Sequence, residues 1–409
     1  MSDSPNSAVR RDGRLAPIMM SLSLALTASA LLAATMAVRA DAAPGSDGAA
    51  PAKLTAGTGT IYLGSHAGRV AVIDEATEKL TADITLKTGM PWAMHLSPDA
   101  TRLYVQSADQ EHFEVIDVAS RQTLDTFTLS QGSTHIRALA FDVDPQNRFM
   151  VIVARETKKL IDRFEIGAPS FFQYDLKEHK VVKTLAWSAD PEPAYYYLSL
   201  KFSPDGKFLY VFGNEILILD AASLQKVDSW DLALPNEPGL GRFDMASMDE
   251  TYDEPGFFTA LFTMDDPVQK RPLLVIGRVD LGGKSIDFFP IGPSQERGGV
   301  SFALGADRKH GYILVQAQEI RRYELWTIDM QSKRLQSKVE FDARPRMALR
   351  SSSNGQILYI YQAGNTIDLY DAAGFKYLRT ITLDSDMMYN TFHVVPPRGQ
   401  PRPPARPQP

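Results

Sequence analysis

Short apolar runs alternate with polar turns along most of this chain, and one such unit recurs. Residues 113–124 (FEVIDVASRQTL) contain a β-branched and aromatic run that ends at Asp117, a short polar turn, and the start of a second run. This order predicts two antiparallel strands joined by a tight turn. The aspartate has a physical role there, because its short side chain can accept hydrogen bonds from the backbone N–H groups of the turn.

The same unit occurs seven times, at intervals of 42 to 60 residues. Its aspartates are Asp74, Asp117, Asp175, Asp220, Asp280, Asp329 and Asp371. A residue present once in every repeat indicates an architectural role, since a catalytic residue is needed once. A period of this length, with several strands in each repeat, predicts a seven-bladed β-propeller.

Each repeat has room for four antiparallel strands, which we name A to D. In the fourth repeat the strands are predicted at residues 196–202, 207–212, 216–220 and 226–230. The SPDG motif at residues 203–206 forms the turn between A and B, because proline fixes φ at one turn position and Asp or Gly takes the next. We predict an all-β propeller of four-stranded antiparallel blades over residues 57–396.

The two ends of the repeat series complement each other. The first repeat begins with a strand B at residues 60–64 and lacks strand A, whereas residues 388–395 (MYNTFHVV) supply an extra strand A after the seventh repeat. A propeller closes its ring by building one blade from both chain ends, which hides the sheet edges that an open array would expose. We therefore predict that the C-terminal strand pairs within the N-terminal blade. The alternative is a coincidence of strand counting.

The third repeat is longer than its neighbours. Between its strands B and C it carries residues 155–169 (RETKKLIDRFEIGAP), in which charged and apolar residues are interleaved. Long connections between blade strands lie on the surface and often serve contacts. We predict a charged, exposed loop at this position.

The N-terminal 42 residues have the pattern of a secretory signal peptide. A positively charged start at Arg10, Arg11 and Arg14 precedes a run rich in Ala, Leu and Met at residues 16–38, and cleavage is expected near Ala40 or Ala42. The alternative is an uncleaved membrane anchor, since the run is long enough to span a bilayer. Under either interpretation the folded part is exported, which favours the periplasm.

Two further segments are predicted to lie outside the propeller. Residues 43–56, rich in Ala, Pro, Gly, Ser and Asp, have the composition of a disordered linker. Residues 397–409 form a tail rich in Pro and Arg, which we expect to be disordered, extended and solvated.

The composition excludes several classes of chemistry. The 409 residues carry a formal net charge of −6, so we expect no nucleic acid partner. Cysteine is absent, which removes disulfides, thiolate catalysis, Cys-ligated zinc and covalent c-type haem. The seven histidines show no metal-ligand spacing, and no hydrolase, P-loop or haem-attachment motif is present. We predict no catalytic residue, no metal site and no cofactor in this chain.

The segments that lead from each strand D into the next strand A emerge on one face of a propeller. Here they are rich in aromatic and cationic residues, and the candidate binding residues are Trp92, His135, Tyr195, Tyr196, Tyr197, Arg297, Arg346 and Tyr389. This composition is typical of a protein interface. Two alternatives stay open, namely a central small-molecule site and ordinary loop surface.

The repeats resemble the β subunit of quinohemoprotein amine dehydrogenase, over nearly all of residues 57–396. The resemblance lies in AVIDEATEKLTADITL at the first hairpin and in the third-repeat insert that ends FEIGAPSFFQYDLKEHK. It continues in SLKFSPDGKFLYVFGNEILILDAASL and in the Ser229-Trp230 pair that closes that repeat. The methylamine dehydrogenase heavy chain is similar at a greater distance.

The resemblance implies a seven-bladed propeller that carries no redox cofactor. In that family a small partner subunit holds a tryptophylquinone, and a dihaem cytochrome c subunit accepts the electrons. The propeller braces the small subunit and helps to wall the pocket for the primary amine. The lack of cysteine here agrees with that division, because this chain could neither crosslink a Trp to Cys nor attach haem.

Two other classes of function compete with this one. A stand-alone propeller of the YVTN or WD40 type would serve as a protein-interaction or surface-binding module. A propeller hydrolase such as a lactonase would need convergent acid, base or metal groups at the central channel. The predicted mouth of the channel offers few carboxylates, which disfavours the hydrolase.

Overall fold

The structure is a computed structural model that describes residues 54–187, 198–213, 215–232, 243–247, 256–266, 268–293, 299–316, 322–342 and 347–397. Within these residues the secondary structure consists of strands and turns, and the strands form seven sheets of four antiparallel strands each. The predicted fold is therefore confirmed. The described residues contain no helix with the length and apolar character needed to cross a membrane.

The strands are numbered in chain order and grouped into blades. Blade 1 contains β1 (Thr60–Ser65), β2 (Arg69–Asp74) and β3 (Lys79–Thr85); blade 2 contains β4 (Pro91–Leu96), β5 (Arg102–Ser107), β6 (His112–Asp117) and β7 (Thr123–Thr128). Blade 3 contains β8 (Thr134–Val143), β9 (Phe149–Lys159), β10 (Phe164–Asp175) and β11 (Lys180–Ala186); blade 4 contains β12 (Ser199–Phe202), β13 (Phe208–Phe212), β14 (Glu215–Asp220) and β15 (Lys226–Asp231).

Blade 5 contains β16 (Phe243–Ser247), β17 (Phe257–Asp265), β18 (Pro272–Asp280) and β19 (Ser285–Pro293); blade 6 contains β20 (Gly299–Leu304), β21 (His310–Gln316), β22 (Arg322–Asp329) and β23 (Arg334–Asp342). Blade 7 contains β24 (Ala348–Ser351), β25 (Ile357–Tyr361), β26 (Thr366–Asp371) and β27 (Tyr377–Thr382); β28 (Met387–Val395) returns to blade 1. Neighbouring blades touch through their A strands, as β28 does with β4 and β20 with β24. The A strands therefore surround the centre of the ring.

The hydrophobic core lies between the blades. Each of the seven clusters of buried apolar side chains spans two neighbouring blades. Successive side chains of a strand point to opposite faces of its sheet, so Leu103 and Val105 of β5 pack toward blade 1, whereas Tyr104 packs toward blade 3. Strands B and C are consequently buried on both faces, which explains their continuous apolar runs.

The seven recurring aspartates have the structural role predicted for them. The side chains of Asp74, Asp117, Asp175, Asp220, Asp280, Asp329 and Asp371 each accept a hydrogen bond from a backbone N–H two or three residues further along the C–D turn, at 2.7–3.0 Å. The Thr77 hydroxyl and amide lower the pKa of Asp74, and those of Ser223 lower the pKa of Asp220, because they stabilise the charged form.

The ring closes through the C-terminal strand, as predicted. Strand β28 pairs with β1 in antiparallel register, from Thr60 opposite Val395 to Ser65 opposite Met387. The hydroxyl of Thr391 also accepts the backbone N–H of Gly64 at 3.0 Å. The four strands of blade 1 therefore come from both ends of the propeller sequence.

A buried carboxylate fastens the closing junction between blades 7 and 1. Glu75 is fully buried and accepts hydrogen bonds from Gly59 N at 2.9 Å, Ser353 N at 3.1 Å and the Tyr359 hydroxyl at 2.9 Å. Burial raises the pKa of Glu75, although these hydrogen bonds oppose the shift. Removing the carboxylate would leave three donors without an acceptor, which is costly in a buried position.

The segment at residues 155–169 is exposed, as predicted, but it forms a β-hairpin and not a loop. Strands β9 and β10 extend past the other strands of blade 3 as a hairpin, in which Phe164 lies opposite Lys159 and Ile166 lies opposite Thr157. Strand β8 supports β9 as far as Lys158, and β10 pairs with β9 beyond the point where β11 ends. The composition of residues 155–169 does not predict this pairing, because the pairing depends on neighbouring strands.

The described chain begins at Leu54, just before the predicted start of the propeller. Ala56 is fully buried against blade 7, and the Asn354 side chain donates to the Thr55 carbonyl oxygen at 2.9 Å. The predicted signal peptide at residues 1–42 lies outside the described residues, as do the linker at 43–56 apart from 54–56 and the tail at 397–409 apart from Pro397. These boundaries stay predictions.

Deleting residues 387–409 should open the ring. The truncated chain loses β28 and the buried side chains of Met387, Phe392 and Val394. We expect its Tm to fall by about 10 °C or more, or folding to fail. Deleting residues 398–409 is the matched control, because it leaves β28 in place, and it should not change the Tm. A truncated chain that melts like the intact one would contradict closure by β28.

A buried histidine in the closing strand makes closure sensitive to acid. His393 lies 2.7 Å through Nε2 from the carbonyl oxygen of Met94, in blade 2. Burial, with the nearby charge of Arg350, lowers the pKa of His393 to about 3. The native state therefore holds this ring neutral, while the unfolded chain binds a proton below the ordinary pKa. Its contribution to stability is full above pH 6.5 and is lost progressively as the pH falls toward 3.

We expect His393→Gln to reduce this acid sensitivity, because its amide can still donate to the Met94 carbonyl but does not titrate. Each pH unit below 6.5 costs the wild type roughly 1.4 kcal/mol through this group. Urea unfolding at pH 7 and pH 5 should show a loss that is about 2 kcal/mol smaller in the variant. Equal losses in both proteins would show that His393 is not held neutral.

Candidate partner-binding face

Three of the predicted candidate residues, Trp92, His135 and Tyr389, lie on described strands at one face of the propeller. Because successive strands of a blade run in opposite directions, the D-to-A and B-to-C connections emerge together, and we call this the D–A face. Trp92 and His135 are the second residues of their A strands, and Tyr389 is the third residue of β28. The other five, Tyr195, Tyr196, Tyr197, Arg297 and Arg346, lie outside the described residues.

Trp92 is exposed because of a β-bulge. Pro91 pairs with Ser107 and Ala93 with Gln106, so Trp92 is the extra residue between them. A bulge bends the strand and re-aims the side chain at that position. The indole keeps 42% of its surface exposed at the rim of the D–A face, where a large aromatic side chain is available for contact with another molecule.

His135 is part of a contact between blades 2 and 3. Its Nδ1 lies 3.0 Å from Oε2 of Glu111, which belongs to the B–C turn of blade 2. The same oxygen accepts the Ser130 hydroxyl at 2.8 Å. His135 is therefore held in a hydrogen-bonded cluster and contributes a fixed, half-exposed ring to the face.

A shallow cleft beside this cluster was missed by the sequence analysis. It has a volume of about 360 Å³ and is lined by Lys87, Thr88, Asp109, His112, Thr126, Phe127 and Thr128. Within it, Oδ2 of Asp109 lies 2.9 Å from Nδ1 of His112. An Asp-x-x-His spacing in the B–C turn was the available signal, but such a spacing is common in turns.

The Asp109–His112 pair is explained by the turn that contains it. Asp109 also accepts the Ser107 hydroxyl and the Glu111 backbone N–H. Burial opposes ionisation, but these hydrogen bonds and His112 outweigh it and lower the pKa of Asp109. The carboxylate therefore stays charged and saturated with donors, which suits a structural role in shaping the face.

The A strands bring ionisable side chains together near the centre of the ring. The His95 ring stacks on Phe141 of blade 3 at 4.0 Å, and its Nδ1 lies 3.8 Å from a carboxylate oxygen of Asp142. His393, in blade 1, lies 2.7 Å through Nε2 from the carbonyl oxygen of Met94 in blade 2. Each of these side chains bridges to the next blade. Among the described residues no group of three or more His, Asp or Glu side chains is placed to hold a metal ion.

The D–A face differs in chemistry from the opposite face. Its connections and the strand ends beside them carry exposed large apolar side chains at Met90, Trp92, Ile161, Phe164, Ile166 and Val268. The described A–B and C–D turns of the opposite face carry none of this kind, and their aspartates bond within the turn. Most of the remaining exposed apolar side chains lie at the start of the outer D strands, beside the C–D turns, as Val182 and Tyr377 do, and each is less exposed than Ile161, Phe164, Ile166 and Val268.

These features define a seven-bladed β-propeller whose most exposed apolar side chains, among the described residues, lie on the D–A face. No protein-family model and no curated protein matches the sequence. Similar solved structures include Kuenenia stuttgartiensis hydrazine synthase, with 13% identity over 82% of this chain and 95% of that chain and a TM-score of 0.48. A functionally unknown protein from Desulfotomaculum acetoxidans DSM 771 has 13% identity over 83% of this chain and 99% of that chain, with a TM-score of 0.50.

Dihydro-heme d1 dehydrogenase NirN in complex with DHE is a third similar structure. It has 14% identity over 83% of this chain and 76% of that chain, with a TM-score of 0.46. Sequence identities this low show a shared propeller fold alone, because one fold hosts many functions. The function must therefore be argued from the D–A face and from the sequence resemblance.

Proposed function

We propose that this chain is the cofactor-free propeller subunit of a periplasmic complex similar to quinohemoprotein amine dehydrogenase. In this role its D–A face braces a small quinone-bearing subunit and helps to wall the pocket for a primary amine. A dihaem cytochrome c subunit completes the complex. Export by the N-terminal segment would bring the chain to the compartment in which such complexes work.

The exposed apolar side chains of the D–A face are the observation that carries the proposal. Among the described residues the four most exposed large apolar side chains, Ile161, Phe164, Ile166 and Val268, all lie on this face. Exposed apolar groups that cluster on one face mark binding surfaces, and aromatic anchors carry much of an interface's energy. Trp92 is such an anchor, and the rigid blade beneath it holds the indole in place before binding.

The division of labour follows from the composition of the chain. Tryptophylquinone and haem c both require cysteine in the subunit that carries them, and this chain has none. The described ionisable clusters are inter-blade bridges or turn contacts. The role proposed for this chain is to position a partner subunit, and a rigid closed ring is suited to that role.

A stand-alone interaction module of the YVTN or WD40 type would use the same face. The exposed Trp92 favours it equally, because a single anchor does not specify its partner. The two functions differ in the nature of the partner, so a redox subunit bound to this chain would decide between them.

Trp92→Ala should weaken assembly with the small redox subunit and leave the fold intact. Loss of an aromatic hot spot costs about 2 kcal/mol or more, equivalent to a Kd about 30-fold higher. Tyr377→Ala is the matched control, because Tyr377 is a similarly exposed aromatic residue on the outer strand of blade 7. Titration of each purified variant with the redox subunit gives the two Kd values. Equal values for both variants and the wild type would place the partner elsewhere.

The purified chain should show no visible absorbance from haem or quinone and no amine oxidation by itself. The expected chemistry belongs to partner subunits, so activity should return only when they are added. Absorbance spectra and dye-linked turnover with a primary amine would measure this. A chromophore or turnover in the isolated chain would overturn the proposed role.

A further inference from the structure

In the hairpin of blade 3, one strand edge has no partner strand among the residues that the structure describes. Strand β8 covers β9 as far as Lys158, whereas β11 covers β10 only from Ser170 onward. Among the described residues no strand pairs with the outer edge of β10 at residues 164–167. Free edges of this kind are templates for the addition of another strand.

The backbone groups of this edge alternate in direction. Leu160 N donates to Arg163 O at 2.8 Å across the hairpin, so the polar groups of Arg163 face β9. Glu165, two residues further along, faces β9 opposite Lys158 in the same way. The N–H and C=O groups of Phe164 and Ile166 therefore point outward, where an added strand would meet them.

The side chains at the edge are also unusually exposed. Ile161 at the tip is fully exposed, and Phe164 and Ile166 expose 63% and 67% of their surfaces. Phe164 and Ile166 lie two residues apart and therefore share one face of the hairpin. An added strand would cover both side chains while it satisfies their backbone groups.

The charges of the hairpin favour a protein over a lipid surface. Arg163 pairs with Asp162 at 3.2 Å and with Glu165 at 2.8 Å, so this cation is neutralised within the hairpin, while Lys158 and Lys159 lie further from the tip. Inserting the tip into a bilayer would carry two carboxylates toward hydrocarbon, which is costly. An aqueous protein surface imposes no such cost.

A second copy of this chain is a poor occupant. The free edge is about four residues long, and two such tips together would bury far less than the roughly 1,200–2,000 Å² of a stable interface. A different protein can pair with the edge and contact the neighbouring D–A face at the same time. The hairpin projects from that face, so the two surfaces are continuous.

We propose that the outer edge of β10 at residues 164–167 binds an extended segment of the partner protein, which adds to blade 3 as a fifth strand. Backbone hydrogen bonds to Phe164 and Ile166 provide affinity, and apolar side chains of the incoming strand cover the two exposed side chains. This inference rests on the proposed function, since it names the way in which the partner subunit docks.

The test uses the full chain and the small redox subunit as the probe. Ile166→Pro removes an outward N–H and leaves the β9–β10 ladder intact. Val182→Pro is the matched control, because Val182 is the bulged residue of the outer strand β11 in the same blade. We expect the Kd to rise at least tenfold for Ile166→Pro and to stay unchanged for Val182→Pro. Phe164→Ser, which keeps the backbone donor and loses the apolar ring, should also weaken binding.

Hydrogen exchange of single amides provides an independent signature. In the free chain the amides of Phe164 and Ile166 should exchange fast and that of Glu165 slowly. In the complex the two fast amides should become protected at least tenfold. Unchanged exchange, together with tight binding by a folded Ile166→Pro variant, would overturn the proposal.

Other outcomes separate the hairpin from the proposed function. Weakening by Trp92→Ala without weakening by Ile166→Pro would reject strand addition and keep the propeller subunit. Protection of the same amides in a dimer of this chain, or on vesicles of phosphatidylglycerol, would assign the edge to a second copy or to lipid. Failure of the wild type to bind any redox subunit would reject both proposals.

Discussion

The packing of each blade against two neighbours is the constraint on which the structure depends. Strands B and C bury both of their faces, so an isolated blade would expose two apolar surfaces to water. Every junction is filled by one cluster of buried side chains, and the junction of blades 7 and 1 needs both ends of the propeller. The closing strand β28 therefore protects the core as a whole, because its loss would expose a junction and a sheet edge together.

The closing junction combines apolar packing with buried ionisable groups. Glu75 joins blade 1 to the Ser353 amide and the Tyr359 hydroxyl of blade 7. His393 reaches from β28 to the Met94 carbonyl of blade 2. Burial raises the pKa of Glu75 and lowers that of His393, and hydrogen bonds to fixed partners hold both side chains in place. Because the pKa of His393 is lowered, its contribution to ring closure is lost in acid.

The two faces of the ring divide structure from binding. On one face, short turns satisfy their own N–H groups through aspartates, as Asp220 does with Ser223. On the D–A face, the bulge at Trp92 and the hairpin at β9–β10 raise apolar side chains above the rim. A rigid ring below holds these groups in fixed positions, which lowers the entropic cost of binding.

The sequence by itself determined the repeat, the four strands per blade, the aspartate turns and the strand that closes the ring. Each of these features follows from the local alternation of apolar and polar residues and from the spacing of the repeated unit. Tertiary structure decided the rest. The bulge that exposes Trp92 depends on its pairing with β5, and the hydrogen bond of His135 joins it to Glu111 in another blade. The segment that contains Phe164 has the composition of a loop, yet it forms a strand because it pairs with β9. Such features depend on long-range contacts, and local periodicity does not encode them.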